Sequence, residues 1–212
     1  MNYWVGNIFL SESINTYTYD LANRLTAFDD GENVYYYAYN GLGDRLQQTV
    51  NYTTTTYAVD IAGGLTQVLS DGTNTYLYGV DRISQQHGSL TEYYLADALG
   101  SVRQLTNFTG EVVLARAYDP YGNLVENNAY DGVTTVYGYA GEYTDTSGMV
   151  YLRARYYSPV QGRFVSRDVW EGDYNNPLSL NKWGYVEGNP INYTDPSGLW
   201  RWRMSSDPIY HT

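Results

Sequence analysis

Two stretches of this chain, Tyr17-Thr18-Tyr19-Asp20-Leu21-Ala22-Asn23-Arg24-Leu25 and Tyr37-Ala38-Tyr39-Asn40-Gly41-Leu42-Gly43-Asp44-Arg45-Leu46, are versions of one unit set about twenty residues apart. Weaker copies follow at Tyr57-Ala58-Val59-Asp60, at Tyr76-Leu77-Tyr78-Gly79 and at Tyr118-Asp119-Pro120-Tyr121-Gly122-Asn123-Leu124. The unit leaves few choices of fold. Alternate side chains of an extended strand share a face, so Tyr-x-Tyr sets two rings side by side, Asp or Asn with Gly turns the chain, and the next Leu re-enters the core. Each unit is a strand and a turn. Stacked units bring tyrosines of neighbouring strands together, where each cross-strand pair adds roughly 0.2 to 1 kcal/mol. The expected fold class is all-β, a repetitive sheet of stacked hairpins.

Composition supports this. The chain has 26 Tyr and 21 Gly, and only 17% of its residues are charged; aromatic side chains suit a pleated surface and Gly supplies its turns. Gly interrupts nearly every long window, so helix signals are sparse. One short helical turn is expected between Leu178 and Tyr185, opened by Asn176-Pro177. A length of 212 residues suits one cooperative unit. The absence of cysteine excludes disulfides, a thiolate nucleophile and a Cys-type zinc site, and no cofactor or metal is implied. A formal net charge of -11 argues against a nucleic-acid partner, because phosphate neutralisation needs clustered Lys and Arg. No stretch approaches the ~20 apolar residues of a membrane span. Met1 to Leu10 lacks the basic start and continuous apolar run of a signal peptide, so export is expected by another route or as part of a longer chain.

The Tyr-Asp units resemble YD repeats, and a series of later motifs extends the resemblance. It runs through Tyr93-Tyr94-Leu95-Ala96-Asp97-Ala98-Leu99-Gly100-Ser101-Val102-Arg103, Gly138-Tyr139-Ala140-Gly141-Glu142-Tyr143 and Tyr151-Leu152-Arg153-Ala154-Arg155-Tyr156-Tyr157. It continues through Gly162-Arg163-Phe164 and Asp168, then Tyr185-Val186-Glu187-Gly188-Asn189-Pro190, to Asp195-Pro196-Ser197-Gly198-Leu199. This order is similar to that of the RHS repeat-associated core domain, the C-terminal shell region of polymorphic toxins, related to the Tc-toxin C component and teneurin-type shells. The resemblance implies a YD-repeat sheet over residues 1–92, a core domain over 93–199 and a residual tail over 200–212. It also implies hairpins forming part of a spiral shell wall, with an irregular C-terminal plug. Shells of the family are far larger, so exposed sheet edges and exposed inner-face aromatics are expected.

On local sequence alone, Asp195-Pro196-Ser197-Gly198 is a type I β-turn, with Pro196 and Gly198 at their preferred positions. In RHS-core proteins that carry a C-terminal toxin, the chain cuts itself after the Leu of this motif using core aspartates. The resemblance therefore implies a scissile bond between Leu199 and Trp200, carboxylates from Asp168 and Asp195, and Arg163 as the supporting cation. Asp173, in the long loop from Trp170 to Pro177, is an alternative to Asp168. Two carboxylates about 3 Å apart repel by roughly 5 kcal/mol at an effective dielectric near 20, which would keep one proton on the pair. One could then activate water while the other protonates the leaving amide.

Other candidates reduce to structure. Asp29-Asp30-Gly31-Glu32-Asn33 lacks calcium-loop spacing and reads as an acidic hairpin turn. His87, in a polar turn context, and His211 are the only histidines and offer no triad. Arg153 and Arg155 among tyrosines read as a strand with one charged face, or as a ligand groove. Trp200-Arg201-Trp202-Arg203 reads as a short strand. The leading expectation is a structural and processing module of a secreted or cell-surface RHS-type protein, partnered by a toxin cargo or by the rest of a shell. The alternative is a non-catalytic module binding carbohydrate or a cell-surface protein through exposed aromatics.

Overall fold

The computed structural model describes residues 15–130 and 132–203. Met1 to Leu10, Asp131 and His211 lie outside them. Strands β1 (Thr16–Tyr19), β2 (Leu25–Asp29), β3 (Val34–Tyr39), β4 (Arg45–Val50) and β5 (Thr53–Thr56) form a five-stranded antiparallel meander. A second meander has eight strands: β6 (Ala58–Asp60), β7 (Gln67–Ser70), β8 (Thr75–Tyr78), β9 (Arg82–His87), β10 (Leu90–Ala96), β11 (Val102–Thr106), β12 (Val112–Tyr118) and β13 (Leu124–Ala129). The fold is all-β, as the repeats require. Residues 92 and 93 both lie within β10, so one sheet continues through the junction between repeat and core sequences.

The repeat unit folds as a five-residue Asx loop. In Asp20 to Arg24, the Asp20 carbonyl accepts the Asn23 N–H at 3.0 Å, and Asp20 Oδ1 accepts the N–H groups of Ala22 and Arg24, each at 2.9 Å. Asn23 takes the left-handed position, φ 62°, that Gly fills in most later copies. The same bonds recur in Asn40–Asp44, Asp97–Ser101, Asn107–Glu111 and Asp119–Asn123. Between the turns, alternation behaves as read: Tyr35 and Tyr37 are buried while Tyr36 is exposed. Asp30 accepts the N–H groups of Glu32 and Asn33, so the acidic stretch is a hairpin turn between β2 and β3.

The C-terminal part packs against both meanders. It contains a four-stranded sheet of β14 (Tyr143–Thr144), β15 (Val150–Leu152), β16 (Arg155–Ser158) and β17 (Arg163–Phe164), and a two-stranded pair of β18 (Tyr193–Thr194) and β19 (Trp202–Arg203). Tyr35, Tyr37, Tyr57 and Tyr76 of the repeat region share one buried cluster with Tyr137, Tyr143, Met149 and Tyr156. These inner-face aromatics are therefore covered, contrary to expectation, because the C-terminal part of the chain packs against them. The sheet edges do remain open: β13 is exposed along its whole length. The helical turn expected after Asn176-Pro177 is the 3₁₀ turn Pro177–Leu180, and the described residues hold two more, Tyr139–Gly141 and Val186–Gly188.

Buried cations tie sheets to plug. Arg45 lies over the rings of Tyr57, Tyr143 and Tyr151 at 4.6, 4.6 and 4.3 Å and donates to the Tyr156 hydroxyl at 2.6 Å. Arg82 lies 3.1 Å from the Tyr137 ring centroid and donates to the Gly141 carbonyl at 2.8 Å. Desolvated cation–π contacts are worth about 2 kcal/mol each.

Candidate functional site

The Tyr151–Tyr157 stretch is a hairpin, not one continuous strand. Leu152 pairs with Arg155, so Arg153 and Ala154 make a two-residue reversal, with Arg153 at φ 51°. This reversal grips the turn that begins at Asp195. The Pro196 carbonyl accepts from Arg153 Nη1 at 2.6 Å, the Ser197 carbonyl from the Ala154 N–H at 3.2 Å, and the Gly198 carbonyl from Arg155 Nε. Three consecutive carbonyls leading to Leu199 are thus fixed by three consecutive residues. Arg153 also pairs with Glu142 at 2.6 Å, and the Arg155 guanidinium lies 3.6 Å from the Phe164 ring centroid, so both cations are held by partners within the chain.

Arg155 also joins the two predicted carboxylates. Its Nη2 lies 2.9 Å from Asp168 Oδ2 and 3.7 Å from Asp195 Oδ2. The cation expected in this place was Arg163, which the structure puts elsewhere: it is exposed on β17, with Nε bonded to Gln161 at 3.2 Å. The reason is strand alternation, because Phe164 takes the buried side of that two-residue strand. Asp173 is exposed and accepts hydrogen bonds from Asn175, so Asp168 is the carboxylate that meets Arg155.

Asp195 is the most enclosed of these groups, at 3% relative exposure. Its Oδ1 accepts the Leu199 and Trp200 N–H groups at 3.1 Å each and the Ser197 hydroxyl at 3.0 Å. Burial pushes its pKa up to about 6, against the pull of Arg155 and these hydrogen bonds. Asp119-Pro120-Tyr121-Gly122 has the same Asp-Pro-x-Gly lettering and behaves oppositely. Desolvation raises Asp119, but hydrogen bonds from Asn123, Tyr121 and Gly122 outweigh it and hold the carboxyl below its usual range. The two turns also differ in one acceptor contact. Asp119 Oδ1 takes the N–H two residues on, whereas Asp195 Oδ1 takes the N–H five residues on, across the Leu199–Trp200 bond.

Beyond this turn, a cavity of about 370 Å³ is lined by Arg155, Asp168, Trp170, Asp195, Leu199 and Trp200, among others. Among the described residues, no helix is long and apolar enough to cross a membrane.

The sequence matches the Teneurin YD-shell family over residues 82–191. The chain belongs to the YD-shell family. The matched stretch contains Arg155 and Asp168 and stops short of Asp195. Curated relatives include the tRNA nuclease WapA of Bacillus subtilis (strain 168), 34% identical over 200 residues, covering 88% of this chain and 8% of that protein. Toxin subunit YenC1 of Yersinia entomophaga is 32% identical over 110 residues, covering 50% of this chain and 11% of the subunit. The chain therefore spans only about a tenth of the length of such relatives. Among solved structures, TcdB2-TccC3 without its hypervariable C-terminal region superposes with a TM-score of 0.69 at 22% identity, over 87% of this chain and 10% of that one. The Tc holotoxin pore of Photorhabdus luminescens gives 0.69 at 20% identity, over 92% of this chain and 10% of that one. These two likenesses establish the shared YD-shell fold.

Arg155 is the cation that sequence reading did not join to the aspartates. A signal existed: Arg153-Ala154-Arg155 holds two arginines inside a run otherwise apolar and aromatic, and buried arginine demands a carboxylate or carbonyl partner.

Proposed function

We propose that this chain is the closing end of a YD shell in a toxin-type protein, and that its plug cuts its own backbone between Leu199 and Trp200. The observation that carries this reading is the double contact of Asp195. One oxygen faces the Trp200 nitrogen at 3.1 Å, and the other shares the Arg155 guanidinium with Asp168.

The chemistry follows from those positions. Asp168 takes a proton from a water molecule in the adjoining cavity as the water oxygen attacks the Leu199 carbonyl carbon. Arg155 counters the negative charge gathering around the carbonyl and the two carboxylates. Asp195, whose burial favours its protonated form up to about pH 6, delivers a proton to the Trp200 nitrogen as the carbon–nitrogen bond breaks. One water is consumed, leaving a carboxylic acid at Leu199 and an amine at Trp200. Holding scissile bond and acid on one five-residue turn supplies the proximity on which such a reaction depends. The natural output is release of whatever is fused beyond Leu199. Relatives named as a nuclease and a toxin subunit support a toxic cargo in a secreted protein, and the open β13 edge suits continuation into a larger wall.

Intact mass under denaturing conditions tests this. Wild-type protein held at pH 5 to 6 should convert to residues 1–199, while Asp195→Asn and Asp168→Asn stay whole. A wild type that remains full-length, or variants cut as fast as it, would sink the proposal.

A further inference from the structure

We propose that the loop from Trp170 to Glu187, together with β18, forms a docking trough for the segment on the leaving side of the Leu199–Trp200 bond, so that this segment stays bound after the cut. The inference rests on the cleavage reading for its consequence, and on geometry of its own for the trough.

The first residue past the bond, Trp200, packs at a tilt of 42° against Trp170 with ring centroids 4.7 Å apart. The second, Arg201, pairs with Glu187 at 3.1 Å and lies 4.7 Å from the Tyr193 ring centroid. The third and fourth, Trp202 and Arg203, pair antiparallel with Thr194 and Tyr193. Four consecutive residues are therefore received in succession by an aromatic face, a carboxylate with an aromatic face, and a strand edge.

The receiving groups are themselves fixed. Lys182 Nζ donates to the Trp170 carbonyl at 2.6 Å, and Asn176 Nδ2 donates to Glu187 Oε1 at 2.8 Å, leaving Oε2 for Arg201. Glu187 sits at φ 54°, a left-handed conformation costly for a side chain with a Cβ. Strain of that kind persists where surrounding contacts hold it, and here it sits at the carboxylate that receives the leaving strand. The side chains of Glu187 and Tyr193 act on Arg201 and not on the Leu199 carbonyl or either aspartate, whereas the Trp170 N–H also donates to Asp168 Oδ1 at 2.9 Å. The trough contacts suit a ligand of one class: an extended peptide whose first residue is aromatic and whose second is basic.

Cleavage and release then become separate events, the second requiring β19 to leave β18. The test compares denaturing and native mass spectra of the full chain, with hydrogen exchange at the Trp202 and Arg203 amides. In wild type, denaturing spectra should show residues 1–199 and 200–212 separated while native spectra show them together. Trp170→Ala with Glu187→Gln should weaken retention of the cut segment by roughly tenfold or more, the scale of one aromatic pair plus an ion pair. Trp170→Phe should restore most of it, which guards against loss by misfolding. If wild type is cut and the fragment departs at once, the trough is refuted and the cleavage reading stands. If no cut occurs, protection of the Trp202 amide in wild type that is lost in the double variant upholds the trough and refutes cleavage. Unprotected amides in the uncut wild type refute the trough as well.

Discussion

Replacing Gly198 by alanine probes how the plug holds its turn, and the structure permits the cost to be divided. Gly198 has φ +71°, and a Cβ built there would lie 2.2 Å from the Leu152 carbonyl oxygen and 2.9 Å from the Arg155 nitrogen. Both are backbone atoms of the β15–β16 hairpin, and Leu152 is buried at 1% exposure, so neither can swing aside as a side-chain tip would. The left-handed backbone alone costs an alanine about 1–2 kcal/mol. Overpacking against a fixed neighbour adds about 1–3 kcal/mol. Gly110 isolates the first part: it has φ +84° and nothing within 4 Å of a built Cβ. Urea denaturation of Gly110→Ala should therefore show a loss of about 1–2 kcal/mol, and Gly198→Ala a loss of about 2–5 kcal/mol. If the turn undocks before the sheets unfold, the excess will register instead as faster hydrogen exchange at the Trp200 amide, which Asp195 accepts in the docked state. Equal destabilisation with unchanged Trp200 exchange would refute the claim that the hairpin and the turn are in fixed backbone contact.

Two further outcomes follow from buried charge. The Asp195 carboxyl sits at about 6 in the folded state against 3.8 unfolded, so the folded form binds the extra proton between those values and stability falls as pH rises from about 4 to about 6, by up to about 3 kcal/mol. The Asp195→Asn variant should lack that slope in urea titrations, and the wild-type cutting rate should decline above pH 6; parallel slopes in the two proteins would contradict the assignment. Arg45→Lys should cost about 2 kcal/mol or more, because a compact ammonium cannot cover the rings of Tyr57, Tyr143 and Tyr151 while reaching the Tyr156 hydroxyl, and a neutral result in the same assay would show the cage to be inert.

The repeat turns were legible because their chemistry is local. An Asp or Asn side chain accepting N–H groups two and four residues on needs only its own segment, so Asp20, Asn40 and Asp119 declare themselves in sequence. The plug was legible only through family resemblance. Its decisive contacts join residues some forty positions apart, as between Arg153 and Pro196, and no periodicity encodes them. Arg155 was read as one residue of a charged strand face because Arg153-Ala154 lacks the Gly or Asn that usually marks a two-residue reversal. Arg163 was taken for the cation because it adjoins Phe164 in a familiar motif, yet alternation turns it outward. Burial of the inner tyrosines could not be foreseen either, since it depends on how far the chain's end folds back into its own sheets.

The turns at Asp119 and Asp195 are spelled alike and differ in what encloses them. A search for the lettering Asp-Pro-x-Gly would report both, although one is a turn between two sheet strands. What separates them is a guanidinium from a distant hairpin and an acceptor oxygen displaced toward a later amide. Two turns of one lettering can therefore differ in proton affinity without any new residue type at the turn itself, because one aspartate is buried and the other is not. What folds against such a turn, and not its spelling, decides how its aspartate titrates.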